Sequence, residues 1–128
     1  MKLQTLKKRA EFLRLRGGAR WACECFALET KPRAEPPELR GPAAIEGPRF
    51  GFTVTKALGN AVVRNRIRRR LKAAVAALDP DAAKPNHDYV LIARQAAQRL
   101  EFSKVKKALE LALQRVHHPR PERPKSTR

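Results

Sequence analysis

Acid is scarce in this chain. Its 128 residues hold 12 Asp and Glu against 29 Lys and Arg, a formal net charge of +17. The isoelectric point is near 11.2. That imbalance argues for nucleic acid or another anionic surface as partner. Long apolar runs are missing too. None approaches the roughly 20 residues a membrane-spanning helix needs, and the amino terminus has no apolar signal core. Both absences point to the cytoplasm and to no membrane partner. Aromatics are few at 5% against 42% hydrophobic residues, so the core is mainly aliphatic. There are only two cysteines, Cys23 and Cys25. Without a second pair they read as two small residues on a strand rather than as a metal site. Catalytic combinations are also missing: the chain shows no carboxylate pair, phosphate-binding loop or nucleophile motif, and His87 stands alone beside Asn86. Nor is there a zinc-finger pattern or a basic-zipper heptad. RNA is therefore favoured over DNA. The length suits one domain.

What is present centres on Lys56 to Leu78, KALGNAVVRNRIRRRLKAAVAAL. Val63, Ile67, Leu71, Ala74, Val75 and Leu78 recur at three- and four-residue steps, which puts them on one helical face. Arg64, Arg68 and Lys72 form a second row, broadened by Arg66, Arg69 and Arg70. No Asp or Glu falls between Gly47 and Leu78, while eight Lys or Arg do. Like charges four apart destabilise a helix, so a polyanion is the natural relief. Asn60 sits where an N-cap belongs, and the free first-turn amides suit a phosphate.

The flanking segments give the order helix, strand, strand, helix, strand, helix. Residues Lys2 to Arg16 predict a short amphipathic helix, capped by Thr5 and stopped by Gly17 and Gly18. Phe12 on that helix reads either as a core side chain or as an aromatic at the rim of a basic groove. Arg20 to Glu29 alternates as a strand. Thr30 to Pro48, with five prolines, predicts a long loop that contains Glu35, Glu38 and Glu46. In Arg49 to Lys56 the residues Phe50, Phe52 and Val54 face the core, while Gly51, Thr53 and Thr55 face away. That small polar face admits a ligand backbone or simply meets solvent. Asp79 to Asp88 reads as a loop and Tyr89 to Ala93 as an inner strand. Ser103 is placed at the cap of a last helix whose stripe runs from Val105 to Val116, and His117 opens a disordered basic tail.

The stretch FTVTKALGNAVVRNRIRRRLKAAV resembles the signature of the bacterial ribonuclease P protein component. Thr53 to Lys56, Gly59 to Val62, Arg64 to Arg66 and the following Arg68, Arg69 and Arg70 carry the match without a gap. Weaker similarity in LKKRAEFLRL and DYVLIAR extends it over about residues 3 to 116. The resemblance implies an α+β fold: a small two-layer α/β sandwich, with helices on a four-stranded sheet and a left-handed βαβ crossover. The generic handedness rule gives the opposite hand. It implies one RNA-binding domain over residues 1–116, with residues 117–128 as a tail. It implies a subunit of a ribozyme that removes the 5′ leader of precursor tRNA. The catalytic RNA performs the hydrolysis and holds most of the Mg2+. The partners are ribonuclease P RNA and precursor tRNA, with no role for DNA.

Carried over residue by residue, Lys56, Asn60, Arg64, Asn65, Arg66, Arg68, Arg69 and Arg70 sit at RNA, and Phe12, Thr53 and Thr55 line the leader cleft. Three positions depart from the family pattern: Arg16 and Glu29 stand where aromatics are common, and Ala57 stands where a second lysine is usual. The loop over Thr30 to Pro48 is longer than typical. A ribosomal RNA-binding protein is the alternative reading, since it would share the charge and the small fold. A stand-alone nuclease would need acids in the stretch that lacks them.

Overall fold

The computed structural model describes residues 5, 6, 9–32, 47–79, 81–84 and 87–117. The elements are α1 (Arg9–Arg14), β1 (Ala19–Ala22), β2 (Phe26–Pro32), β3 (Arg49–Thr53), α2 (Ala61–Ala76), β4 (His87–Ala93) and α3 (Phe102–His117). Short 3-10 turns, Lys56–Leu58 and Gln95–Gln98, precede α2 and α3. The four strands lie in the order β1-β2-β4-β3. β2 pairs antiparallel with both β1 and β4, while β3 pairs parallel with β4. The β3–α2–β4 segment is thus a βαβ unit.

Strand alternation decides which side is core. Phe50, Tyr89 and Leu91 turn inward with Phe26 and Leu28, and all are fully buried. Phe50 and Tyr89 are register partners, and their rings stack 4.8 Å apart. Ile67, Leu71, Ala74 and Val75 of α2 and Val105, Leu109, Ala112 and Leu113 of α3 close over this face. Burying each large side chain contributes about 1.5–3 kcal/mol. On the outer face a smaller cluster of Leu6, Leu15 and Val90 gathers Phe12 and Ile92. The start of the parallel pair is fixed by Arg49, whose Nε and Nη2 donate to the buried Asp88 carboxylate at 2.9 and 2.7 Å.

Several segments differ from the sequence reading. The strand over Arg20 to Glu29 is two strands, because Cys23 N donates to Phe26 O at 2.8 Å and the chain reverses there. The turn has no Gly or Pro to announce it. This hairpin supplies the fourth strand that residue patterning missed. The first helix is shorter than Lys2 to Arg16. Thr5 does not cap it but bridges to Phe50, and Leu6 N donates to Phe50 O at 3.0 Å. Gly17, with φ 84°, does end the helical segment. β2 runs on to Pro32, into the segment assigned to the loop; residues 33–46 lie outside the described residues. β3 ends at Thr53 rather than at Lys56. His87 opens β4 instead of lying in a loop. α3 begins at Phe102, ahead of Ser103, and holds His117 as its last residue. His117 hydrogen-bonds through Nε2 with the Tyr89 hydroxyl. The rest of the tail, 118–128, lies outside the described residues.

Candidate RNA interface

A cleft of about 500 Å3 opens between α1 and the outer face of the sheet. Arg9, Phe12, Leu13 and Arg16 form one wall, and Glu29, Thr53, Val90 and Ile92 form the floor. The pleat puts Thr53, Val90 and Ile92 there because their neighbours Phe52, Leu91 and Tyr89 pack on the core side. Gly51 lets the wall come close. A Cβ at that position would stand 2.5 Å from the Phe12 ring and 3.0 Å from Leu6. Phe12 is therefore both things the sequence left open: half-buried against the outer cluster, and part of the cleft lining. Arg9 and Arg16 are exposed at the cleft, while Glu29 accepts from Arg20 Nη1 at 2.6 Å. Thr55 is exposed ahead of the first 3-10 turn and does not line the cleft.

Thr53 ends β3, and eight residues later α2 begins. Asn60 caps the helix as its sequence position predicts, with Oδ1 accepting from Val63 N at 3.0 Å. The basic residues of α2 then divide by what they touch. Asn65, Arg66 and Arg69 are exposed, as is Lys56 on the approach. Asn65, Arg68, Arg69, Val62 and Lys72 line a hollow of about 500 Å3 on the helix surface. Within it Arg68 Nη1 donates to Asn65 Oδ1 at 3.3 Å. Arg64 is half-buried and donates from Nε to Gly59 O at 3.2 Å. Arg70 is turned the other way, donating from Nη2 to the Leu100 carbonyl and tying α2 to the approach of α3. Its role is thus at least partly within the fold.

Patterning on the sequence missed most of the cleft floor. Val90 and Ile92 read only as part of an apolar run, and their outward direction depends on a sheet partner. Arg16 and Glu29 had a signal of a different kind, for both are positions where this chain departs from the family pattern, and both line the cleft. Among the described residues no three His, Cys, Asp or Glu side chains converge as a metal site, and no helix is long and apolar enough to cross a membrane.

A small α+β fold with net charge +17 and a sixteen-residue helix free of acid, its basic residues turned largely to solvent, defines an RNA-binding protein. The family model for Ribonuclease P matches residues 1–117, and the chain belongs to that family, the protein part of the ribonucleoprotein that processes tRNA 5′ ends. A ribonuclease P protein component from Brucella suis is 44% identical over 104 residues, covering 81% of this chain and 73% of that protein. One from Erythrobacter litoralis is 39% identical over 111 residues, covering 87% and 84%. Among solved structures, the RNase P protein of Staphylococcus aureus matches with TM-score 0.68 at 30% identity, over 88% of this chain and 94% of that one. The RNase P protein from Thermotoga maritima has TM-score 0.67 over 87% and 96%, and at 20% identity it speaks for the fold alone. None of these relatives speaks for the ribosomal-protein alternative.

Proposed function

We propose that this chain grips the ribonuclease P RNA with the exposed side of α2 and holds the 5′ leader of precursor tRNA in the cleft beneath α1. The carrying observation is that the cleft and the acid-free helix are joined by one short connection, so one RNA assembly can reach both. Lys56, Asn65, Arg66, Arg68 and Arg69 meet phosphates of the catalytic RNA. Asn60 and Arg64 hold the helix start in shape while its free amides face the same polyanion. Arg70 contributes charge from a fixed position. In the cleft Phe12 stacks on a leader base, worth about 1–3 kcal/mol, and Thr53 offers a hydroxyl at the floor. Thr55 meets the strand further along, outside the cleft. Arg9 adds charge at the cleft and Arg16 adds it where an aromatic is usual, so leader affinity in this chain leans on phosphate contacts.

The RNA subunit is assigned most of the magnesium ions, in keeping with the family resemblance. Mg2+ bound there supplies an activated water and charge stabilisation. The protein's own part is to neutralise phosphate and to position the leader. The binding unit runs through residue 117, with 118–128 as a basic tail. The working compartment is the cytoplasm, with no DNA or membrane partner.

The test is cleavage of precursor tRNA by ribonuclease P RNA at low magnesium, with and without this chain. Protein-dependent cleavage at the mature 5′ end, and none by the protein alone, is the expected result. No stimulation of a cognate RNA would reject the proposal. Cleavage by the protein alone would reveal an active site in this chain.

A further inference from the structure

The turn between β1 and β2 carries the two cysteines of the chain, both free thiols. On a continuous strand they would seldom meet. In the turn Cys23 Sγ lies 3.8 Å from Cys25 Sγ. The two differ in access, with Cys23 half-buried and Cys25 sealed in the core. The backbone around them is pinned. Cys23 N donates to Phe26 O at 2.8 Å, and Arg94 N donates to Cys25 O at 3.0 Å. The Arg94 guanidinium also donates to Cys23 O at 3.0 Å. The sulfurs are therefore kept as neighbours, with Cys23 only partly covered. A disulfide brings sulfurs to about 2.05 Å, so closure asks for a movement of about 2 Å by the accessible partner.

We propose that Cys23 and Cys25 form an oxidative modification site, a dithiol that peroxide converts to a disulfide within the hairpin turn and that thiols reopen. The Cys23 thiolate attacks one oxygen of hydrogen peroxide, the O–O bond breaks, and hydroxide leaves. Cys23 is then a sulfenic acid. The Cys25 sulfur attacks the Cys23 sulfur, the S–S bond forms, and the hydroxyl departs with the Cys25 proton as water. The two sulfurs together give up two electrons, and the peroxide takes both. The roles follow from the pair itself. A hydrogen bond from Cys25 holds the Cys23 thiol down at about 6 against the opposing effect of burial. The same hydrogen bond, with burial, pushes the Cys25 thiol up. The more accessible sulfur is thus the attacking thiolate, and the buried one gives up its proton to the departing hydroxyl as it attacks in the second step. Reversible pairs of this kind are the usual form of cytosolic disulfide.

The experiment treats the full chain with hydrogen peroxide and reads intact mass and free thiols. Two titratable thiols before treatment should become none, with a mass lower by about 2 Da, and dithiothreitol should restore both. Cys25→Ser should stop at a Cys23 sulfenic acid that dimedone traps. Cys23→Ser should lose the fast reaction, with a rate at least about tenfold lower. A wild-type chain that gains oxygen while Cys25 stays free would overturn the proposal, as would dimers linked between chains or no reaction at all. The wild-type mass decides the matter even if a serine variant fails to fold.

Discussion

The two faces of the sheet are made by alternate residues of the same strands, yet they are finished differently. On the inner face Phe50, Tyr89 and Leu91 are fully buried beneath α2 and α3. On the outer face Gly51, Thr53, Val90 and Ile92 meet only the short α1 and the residues flanking it, Leu6 and Leu15, and a cleft remains beside it. Packing on the inner face fixes the positions of the outer residues, which then need not pack fully themselves. Stability should therefore rest mainly on the inner face and RNA binding on the open part of the outer one, with Gly51 the exception, because the outer face packs closely there.

The strongest test of that separation is Phe50→Ala. It removes a buried ring stacked on Tyr89 and should cost about 3–5 kcal/mol, read as a lower urea midpoint. An unshifted midpoint would mean the inner face is not the core. Next in size is Phe12→Ala on the outer face. Affinity for leader-bearing precursor should fall by about 1–3 kcal/mol, with little change for mature tRNA in a parallel titration. Equal losses for both RNAs would leave Phe12 a packing residue only. Gly51→Ala puts a methyl into the Phe12 ring and should destabilise by about 1–3 kcal/mol. In a Phe12→Ala background most of that cost should vanish; a cost unchanged by the second substitution would remove the close approach as its cause. The smallest effect separates two arginines of α2. Arg69→Gln should flatten the salt dependence of RNA binding by about one unit of slope, whereas Arg70→Gln should lower the unfolding midpoint more than the slope. Equal slopes for both variants would put Arg70 on RNA beside Arg69.

What could be read from the sequence followed local rules. The stripe from Val63 to Leu78, the Asn60 cap and the division of Phe50 from Gly51 depend on residues close in the chain, and the structure contains all three. The readings that failed depend on distant partners. Thr5 bridges to Phe50 on the edge strand β3, so a cap in the sequence became part of the sheet edge. His117 joins α3 because the Tyr89 hydroxyl waits for it at the end of the helix. The cleft was half legible: Phe12 and Thr53 stood out by type, but Val90 and Ile92 acquire their direction only by pairing. The basic row of α2 was visible as charge, while the turn of Arg70 toward Leu100 required the fold.

The position of β4 between β2 and β3 sets an order of events during synthesis. β2 and β3 do not pair with each other, and the β1–β2 hairpin is joined to β3 only through β4, which begins at His87. The Thr30 hydroxyl must wait for the Asp88 carbonyl, 58 residues downstream. A growing chain that has released α2 but not β4 therefore holds a β1–β2 hairpin and a strongly basic helix whose apolar stripe has no cover. At roughly 5–20 residues per second, that interval lasts seconds. The amino-terminal half has no sheet of its own to rest in, and closing the core is an event of the last third of translation.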